Sequence, residues 1–180
     1  MSSDSELIVQ FQQHQNREQV FTQLMQKHQA KVYQQIKRMD LSHDDADDVA
    51  QIIWIKIWGK LDGFKMESEF TTWLFRITYN ETLNFINKEK RKSTSSFEQD
   101  NGDYETHSSQ TDAPKSSEIQ IKLEQGIKQL PEKQRFVFML RYFDELNYEK
   151  IASITGTTVG GAKANYHQAI KKLEQFIKEN

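Results

Sequence analysis

The chain has 180 residues, a formal net charge of −2 and no cysteine, with 36% apolar and 28% charged residues. Without cysteine it can form neither a disulfide nor a cysteine-based zinc site, so nothing in it requires an oxidising compartment. Its uninterrupted apolar stretches are short and residues 1–6 are mostly polar, which predicts no membrane insertion and no secretory signal. We therefore expect a cytoplasmic, water-soluble protein that is too close to neutral to act as a simple basic coat on nucleic acid.

Charge is distributed unevenly and divides the chain into three parts. Residues 1–92 carry 13 basic and 13 acidic side chains, residues 93–117 carry one against five, and residues 118–180 carry ten against eight. The middle part is acidic, rich in Ser and Thr, poor in apolar residues and without helical periodicity. Because such a segment cannot bury enough surface to offset the entropy of ordering, we predict a flexible linker over 93–117 between domains 1–92 and 118–180.

Helical periodicity runs through both predicted domains, and no alternating strand pattern of any length occurs. Ser42 is an N-cap candidate, because the acids that follow it complement the positive end of a helix. Pro131 is predicted to start another helix. The predicted helices cover approximately 21–36, 42–59, 68–92, 119–130, 132–143, 148–154 and 159–177. The expected fold class is therefore all-α, with two small helical domains.

The predicted helix over 68–92 presents a polar stripe between two apolar arcs. A solvated helix face usually mixes glutamate with lysine, whereas this stripe holds amides and arginines. Asparagine can hydrogen-bond base edges, arginine neutralises phosphates, and an aromatic ring can stack on an unpaired base. The members of the stripe are Trp73 at its head, Arg76, Asn80, Asn84, Asn87 and Arg91. The pattern fits a nucleic-acid surface, and it also fits an ordinary polar outer face with Trp73 in the core.

The segment 148–177 has the pattern of a helix-turn-helix. A short amphipathic helix is followed by a three-residue turn over 156–158, and Val159 begins a longer helix. Small residues in the first turns would allow close approach to a DNA backbone, and the helix N-terminus attracts phosphate. The outer face carries Gly160, Gly161, Lys163, Ala164, Asn165, His167, Gln168 and Lys171. We predict that this helix reads DNA, with a helical hairpin that has no DNA role as the alternative.

Catalytic and metal-site motifs are missing from the sequence. It contains no P-loop, no nucleophile elbow and no H-E-x-x-H pair. His43 adjoins a cluster of acids over 44–48, but these spread around the first helical turns without the glycine-centred loop of a calcium site. Helix capping accounts for them more simply, so we expect no catalytic residue, no metal and no cofactor.

Several short motifs occur in an order that resembles one protein family. They are DVAQ at 48–51, LDGF at 61–64, FTTW at 70–73, LPEKQR at 130–135, LRY at 140–142 and LNYEKIA at 146–152. In this order and around this linker, they are similar to those of the extracytoplasmic-function sigma factors, the smallest class of bacterial RNA polymerase specificity subunits. The resemblance covers nearly the whole chain outside 93–117. It implies a region-2 domain over 1–92 and a region-4 domain over 118–180.

The resemblance also implies a role for each surface. The resemblance implies that core RNA polymerase is a partner through its clamp helices and its flap. The clamp helices would contact the surface formed by Asp48, Gln51, Ile52 and Ile55. The loop 65–71, which begins at Lys65, is similar to the loop that captures a flipped base of the minus-10 element. Asn80 and Asn84 match positions that meet the non-template strand, and the second helix of the helix-turn-helix matches the reader of the minus-35 element. Promoter DNA and an anti-sigma factor are therefore expected partners.

Two of these surfaces depart from the family pattern. Ile52 stands where the family commonly has glutamate, which would move the clamp contact toward apolar packing or toward neighbouring acids. Asn165, Gln168 and Ile170 occupy positions that are often arginine. Fewer cations predict weaker promoter binding by the chain alone and a different base preference, so binding should depend on polymerase.

The sequence leaves two other functional classes open. One is a polymerase-independent helix-turn-helix regulator, which would need a dimerisation element for paired half-sites, and the sequence has no long heptad seam. The other is a helical adaptor without a nucleic-acid role, which the basic outer face of the last predicted helix disfavours. The favoured function is a non-enzymatic subunit that recruits polymerase to a promoter and helps to melt it.

Overall fold

A computed structural model of the protein describes residues 2–96 and 118–179. The regular structure in these two ranges is entirely helical, which confirms the predicted fold class. The helices are α1 (Asp4–Gln12), α2 (Arg17–Lys37), α3 (His43–Lys60), α4 (Phe70–Ser96), α5 (Glu118–Gln129), α6 (Glu132–Tyr142), α7 (Tyr148–Thr155) and α8 (Val159–Glu179), with a 3-10 turn at Leu61–Gly63. Backbone contacts divide the chain into two compact units, Met1–Thr82 and Leu83–Asn180, so the division falls inside α4.

The predicted helix bounds agree with the structure to within a few residues at most ends. Ser42 caps α3 as predicted, because its Oγ accepts a hydrogen bond of 3.1 Å from the amide of Asp45. Helix α4 is the main difference, since it continues to Ser96 and so includes the first four residues of the predicted linker. The rest of that linker, 97–117, lies outside the described residues.

Helix α1 is absent from the sequence-based prediction. A capping box begins it: the Ser3 amide donates to the Glu6 carboxylate at 2.8 Å, and the Glu6 amide donates to Ser3 Oγ at 3.2 Å. Its apolar residues Leu7, Ile8 and Phe11 are buried. The sequence does carry a signal for this helix, since Ser-x-x-Glu followed at once by two apolar residues is a helix-start signature.

The first unit packs its helices around a group of aromatic rings. The indole of Trp58 meets the rings of Phe11 and Phe21 edge-on, with centroid distances of 5.0 Å to each. The Arg17 guanidinium lies 4.1 Å from the Phe11 centroid and pairs with the Asp62 carboxylate at 2.7 Å. Fully buried aliphatic side chains complete the core, namely Leu24, Val32, Ile36, Ile53, Ile57, Leu61 and Leu74. This core fixes the 3-10 turn and the start of α4, and hence the loop between them.

The second unit packs α5, α6 and α7 against α8. Gly126 of α5 allows a close approach, because a Cβ there would lie 3.0 Å from side-chain atoms of both Leu173 and Phe176. Arg135 of α6 is buried, and its Nη2 donates to the backbone carbonyls of Lys128 and Leu130 at the end of α5. These contacts hold α6 and α5 together and support the two helices that follow.

The turn between α7 and α8 has the geometry of a helix-turn-helix, as predicted. Gly156 adopts a left-handed conformation with φ of 65°, which a residue without a Cβ reaches at little cost. Thr158 Oγ1 then accepts a hydrogen bond of 3.0 Å from the Gly161 amide and so caps the start of α8. Residues 156–158 therefore end one helix and start the next without further chain between them.

Candidate nucleic-acid interface

Helix α4 exposes the predicted polar stripe along one face. Arg76, Asn80, Asn84, Asn87 and Arg91 are all exposed. On the buried side, the hydroxyls of Thr78 and Thr82 donate to the carbonyls of Leu74 and Thr78 at 3.1 and 2.8 Å, so these polar groups need no partner outside the helix. The end of the stripe borders an open cavity of about 400 Å³ that is lined by Asn84, Asn87, Lys88, Arg91 and Lys92. The face thus offers amide and guanidinium donors without a competing acid among its members.

Trp73, at the head of the stripe, is half-buried. Its ring centroid lies 4.9 Å from that of Phe64 and 5.9 Å from that of Phe70, with tilted planes. Trp73 is therefore neither a fully buried core residue nor a free ring. One side of it packs on the aromatic group at the base of α4, and part of it stays accessible for stacking.

The loop that begins at Lys65 connects the 3-10 turn to α4. Lys65 is exposed, and Met66 has a φ of 56°, which is uncommon for a residue with a side chain. Between this loop and helix α1 lies a cleft of about 330 Å³. Its lining includes Asp4, Ser5 and Ile8 from α1 and Met66, Ser68 and Phe70 from the loop and the first residue of α4.

Helix α3 exposes the four residues predicted to contact polymerase. Asp48, Gln51, Ile52 and Ile55 fall at helical spacings of three and four residues, so they share one face. The exposed fraction is 42% for Ile52 and 70% for Ile55. The opposite face of α3 is buried through Ala46, Val49, Ile53 and Ile57. An acid, an amide and two exposed isoleucines side by side form a surface suited to a partner protein.

Helix α8 exposes most of its predicted outer face. The exposed members are Gly160, Lys163, Ala164, His167, Gln168 and Lys171. The Lys163 ammonium lies 5.7 Å from the ring centroid of Tyr148 in α7. The attraction between the cation and the ring keeps the lysine side chain close to the start of α8. The first turns of α8 therefore present small residues next to positive charge.

Three predicted members of this face also have structural partners. The half-buried Asn165 donates its Nδ2 to the Gly161 carbonyl at 2.9 Å, and Gln168 Oε1 accepts from Gln134 Nε2 of α6 at 2.7 Å. A Cβ on Gly161 would lie 2.5 Å from Thr157 Oγ1, whereas Gly160 faces nearly open space. A side chain at position 161 would therefore force Thr157 to move, and Gly160 is the glycine that leaves room for an approaching backbone.

His43, beside the acids at the start of α3, has local partners. His43 Nδ1 lies 2.5 Å from the Tyr33 hydroxyl and 3.5 Å from the Asp47 carboxylate. Across 2–96 and 118–179, no three His, Cys, Asp or Glu side chains are grouped as the ligands of a metal ion would be. In the same part of the chain, no helix has both the length and the apolar character needed to span a membrane.

Two segments of the chain match known protein families. Residues 24–92 match the family described as sigma-70 region 2, and residues 120–173 match the family described as sigma-70, region 4. The matched segments contain the α3 face, the α4 stripe and the helix-turn-helix. A region 2 followed by a region 4 defines a transcription initiation factor of the sigma-70 class.

Curated relatives narrow this class. The ECF RNA polymerase sigma factor SigW of Bacillus subtilis is 30% identical over 167 residues, which cover 88% of this chain and 89% of SigW. The RNA polymerase sigma-H factor of Pseudomonas aeruginosa is 31% identical over 166 residues, covering 87% of this chain and 86% of that protein. The chain belongs to the extracytoplasmic-function (ECF) RNA polymerase sigma factors, which confirms the resemblance found in the sequence.

Solved structures agree with this family. The sigma factor RpoE of Bartonella quintana, solved with the anti-sigma factor NepR, is 25% identical with a TM-score of 0.70, covering 88% of this chain and 96% of its own. CnrH, solved with the cytosolic domain of CnrY, has a TM-score of 0.71 over 99% of both chains. Because CnrH is only 20% identical, it supports the fold alone.

Proposed function

We propose that this chain is a non-enzymatic, cytoplasmic subunit that recruits core RNA polymerase to promoters, reads their minus-10 and minus-35 elements and helps to melt the DNA. The observation that carries the proposal is a pair of exposed faces whose predicted members include no acid, one on α4 and one on α8, in segments that match region 2 and region 4. Family membership favours this function over a polymerase-independent regulator and over an adaptor without a nucleic-acid role.

The proposed binding to polymerase uses the α3 face for the clamp helices and the second unit for the flap. The net charge of −2 supports a dependence on polymerase. Phosphate neutralisation supplies most non-specific affinity for DNA, so a nearly neutral chain binds DNA weakly by itself. As a polymerase subunit it needs only to select two short elements, because the enzyme supplies most of the remaining contacts.

The minus-10 element is assigned to the α4 stripe and the loop that begins at Lys65. Unpairing and unstacking a base costs a few kcal/mol, so melting needs a site that holds the extruded base. The half-exposed ring of Trp73 can stack on an unpaired base, the amides of Asn80, Asn84 and Asn87 can bond base edges, and Arg76 and Arg91 can neutralise phosphates.

The minus-35 element is assigned to the first turns of α8. Gly160 leaves space beside the helix start, and Lys163 and Lys171 supply phosphate contacts. The Gln168 amide is anchored through its oxygen by Gln134, so its NH₂ group is left to face a base edge in a fixed orientation. His167 adds a further exposed donor or acceptor on the same face.

A protein partner is also part of the proposal. The complex of the Bartonella quintana sigma factor RpoE with the anti-sigma factor NepR supports regulation of this chain by an anti-sigma factor. The exposed isoleucines of α3 are suited to such a partner, which would then compete with core polymerase for that surface.

The proposal is tested by capture of core RNA polymerase on the full chain, followed by run-off transcription from a panel of promoter fragments. Binding together with promoter-selective transcripts supports the proposed function and supplies the DNA sequence that is read. If the chain binds DNA with equal affinity in the presence and absence of core polymerase and gives no transcripts, the function is that of a free-standing regulator.

An Asn80→Ala variant should impair promoter melting about tenfold while its affinity for core polymerase stays within about twofold of wild type. Asn80 is exposed on the stripe, so its removal deletes base contacts without disturbing packing. Permanganate footprinting of the melted region measures the effect, and Gln29→Ala, an exposed amide change on α2, is the matched control. Equal losses in melting and in polymerase binding would contradict the assignment of the stripe.

A Lys163→Ala/Lys171→Ala double variant should weaken minus-35 binding and reduce the slope of log affinity against log salt by about 2. Each lysine that contacts a phosphate releases about one counterion, so two lost contacts change the slope and not only the affinity. Titrations of holoenzyme on promoter DNA between low and physiological salt measure it. A Lys128→Ala/Lys178→Ala variant makes the same charge change elsewhere in the second unit and should keep the wild-type slope.

A further inference from the structure

Helix α1 lies outside the segment that matches sigma-70 region 2, yet its C-terminal end holds the turn that precedes the minus-10 loop. Gln12 Nε2 donates to the backbone carbonyls of Leu61 at 3.0 Å and Phe64 at 2.9 Å. Close by, Arg17 pairs with the Asp62 carboxylate at 2.7 Å. Lys65 directly follows Phe64, so the loop starts from a backbone whose carbonyls are bonded by Gln12 of α1.

The N-terminal end of α1 is tied to the other end of the same loop. The Asp4 carboxylate accepts from Lys27 Nζ at 2.6 Å and lies 2.9 Å from His28 Nε2. The His28 ring in turn meets Phe70, the first residue of α4, with a centroid distance of 5.4 Å. Burial lowers the pKa of His28, so the imidazole tends to stay neutral in this position. Helix α1 is therefore fixed at both ends to the elements that bracket the loop.

The cleft of about 330 Å³ lies between these two points of attachment. Ile8, 1% exposed, gives it an apolar wall, and Ser5 is exposed at its side. Phe70 and Met66 contribute apolar surface from the opposite side, with the Ser68 hydroxyl beside them. Asp4 of α1 and Glu69 of the loop add two carboxylates to the lining. Pockets for flipped bases combine apolar side chains for stacking with polar groups that bond the base edge, and both kinds of group line this cleft.

We propose that helix α1 is part of the minus-10 reading site: Asp4, Ser5 and Ile8 form one wall of the pocket that receives a flipped nucleotide base, and Gln12 is a positioning residue for the loop opposite. This inference rests on the proposed function, since it assumes that the loop captures a base of the melted strand. It adds a second wall, from residues outside 24–92, to a site whose loop lies inside the segment that matches region 2.

The test uses holoenzyme assembled from core polymerase and the full chain, with single-stranded minus-10 oligonucleotides substituted at each position in turn. Wild type should prefer one base at one position by about tenfold or more. Ser5→Phe places a ring in the cleft and should reduce that preference to near unity while polymerase affinity and thermal unfolding stay at wild-type values. Val9→Phe adds the same ring on α1, at a residue that is 40% exposed and does not line the cleft, and should behave as wild type.

The positioning role of Gln12 is tested by measuring the same base preference on minus-10 oligonucleotides, and not by overall activity. Gln12→Met removes both N–H donors at similar length and should reduce the base preference, whereas Gln12→Lys keeps donors for the two carbonyls and should restore it. If wild type selects a base and Ser5→Phe selects it equally well, this inference is overturned and the proposed function stands. If wild type selects no base at any minus-10 position, both this inference and the proposed minus-10 reading are contradicted.

Discussion

An Ile55→Glu variant should bind core RNA polymerase about 30- to 1,000-fold more weakly than wild type, which corresponds to about 2–4 kcal/mol for an interface hot spot. Ile55 is 70% exposed on α3, so the change should leave the fold intact. A glutamate there would have to lose its hydration on docking, and it would replace the apolar contact with an acid in a surface that already holds Asp48. Fluorescence anisotropy of the labelled chain titrated with core polymerase measures the effect.

The matched control is Ile119→Glu. Ile119 is an isoleucine of nearly equal exposure, 67%, on α5 of the second unit. It receives the same chemical change outside the proposed clamp surface. The second unit is assigned to the flap, but no residue of α5 has a proposed polymerase contact, so polymerase affinity should stay within about twofold of wild type. Wild-type affinity of Ile55→Glu, or an equal loss in both variants, would contradict the assignment of the α3 face.

The structure also gives a physical account of Ile52, where the family commonly has glutamate. Ile52 and Ile55 lie on the same face of α3 and are both exposed, so together they form one apolar patch. The sequence left open whether the proposed clamp contact moves toward apolar packing or toward neighbouring acids, and this apolar patch favours apolar packing. The acid needed for a charged contact is still present one turn earlier, at Asp48.

Local signals were sufficient for most of the fold. The Ser42 cap, the left-handed Gly156 and the apolar periodicity of α2 through α8 each depend on residues within a few positions of one another, so a single sequence contains them. Helix α1 could have been predicted in the same way from its capping box, because Ser3 and Glu6 stand directly before Leu7 and Ile8.

Contacts between residues that are far apart in the sequence could not be predicted from such local signals. The bonds from Gln12 to Leu61 and Phe64 join positions about fifty residues apart, and nothing in a lone glutamine indicates them. The same holds for Gln168, which the sequence places on the face predicted to read DNA without indicating that Gln134 binds its oxygen. A helix period identifies which face is polar, but the tertiary fold decides which atoms on that face are already used.

The motif LPEKQR, one of those that carry the family resemblance, has a structural explanation in this fold. Pro131 stands at the N-cap of α6, and the side chain of Arg135 returns to the last carbonyls of α5. A helix end leaves its final carbonyls without partners in the helix, and a buried guanidinium can satisfy two of them at once. The motif therefore joins α5 to α6, which places it in the scaffold under the helix-turn-helix.

Replacing Arg135 by methionine should accordingly destabilise the second unit by about 2–3 kcal/mol, since two hydrogen bonds to a charged group are lost and the buried carbonyl of Leu130 is left unsatisfied. Arg135 is only 9% exposed, so water cannot readily take its place. Hydrogen exchange of the full chain measures this unit by unit: the most protected amides of α5–α8 should exchange about 30- to 150-fold faster, and those of α1–α3 should not change. Lys133→Met, an exposed change on the same helix, should stay within about 0.5 kcal/mol of wild type.

Minus-35 binding should weaken with Arg135→Met in proportion to the lost protection. Weaker binding with unchanged exchange would instead make Arg135 a DNA contact and contradict its role as the link between α5 and α6.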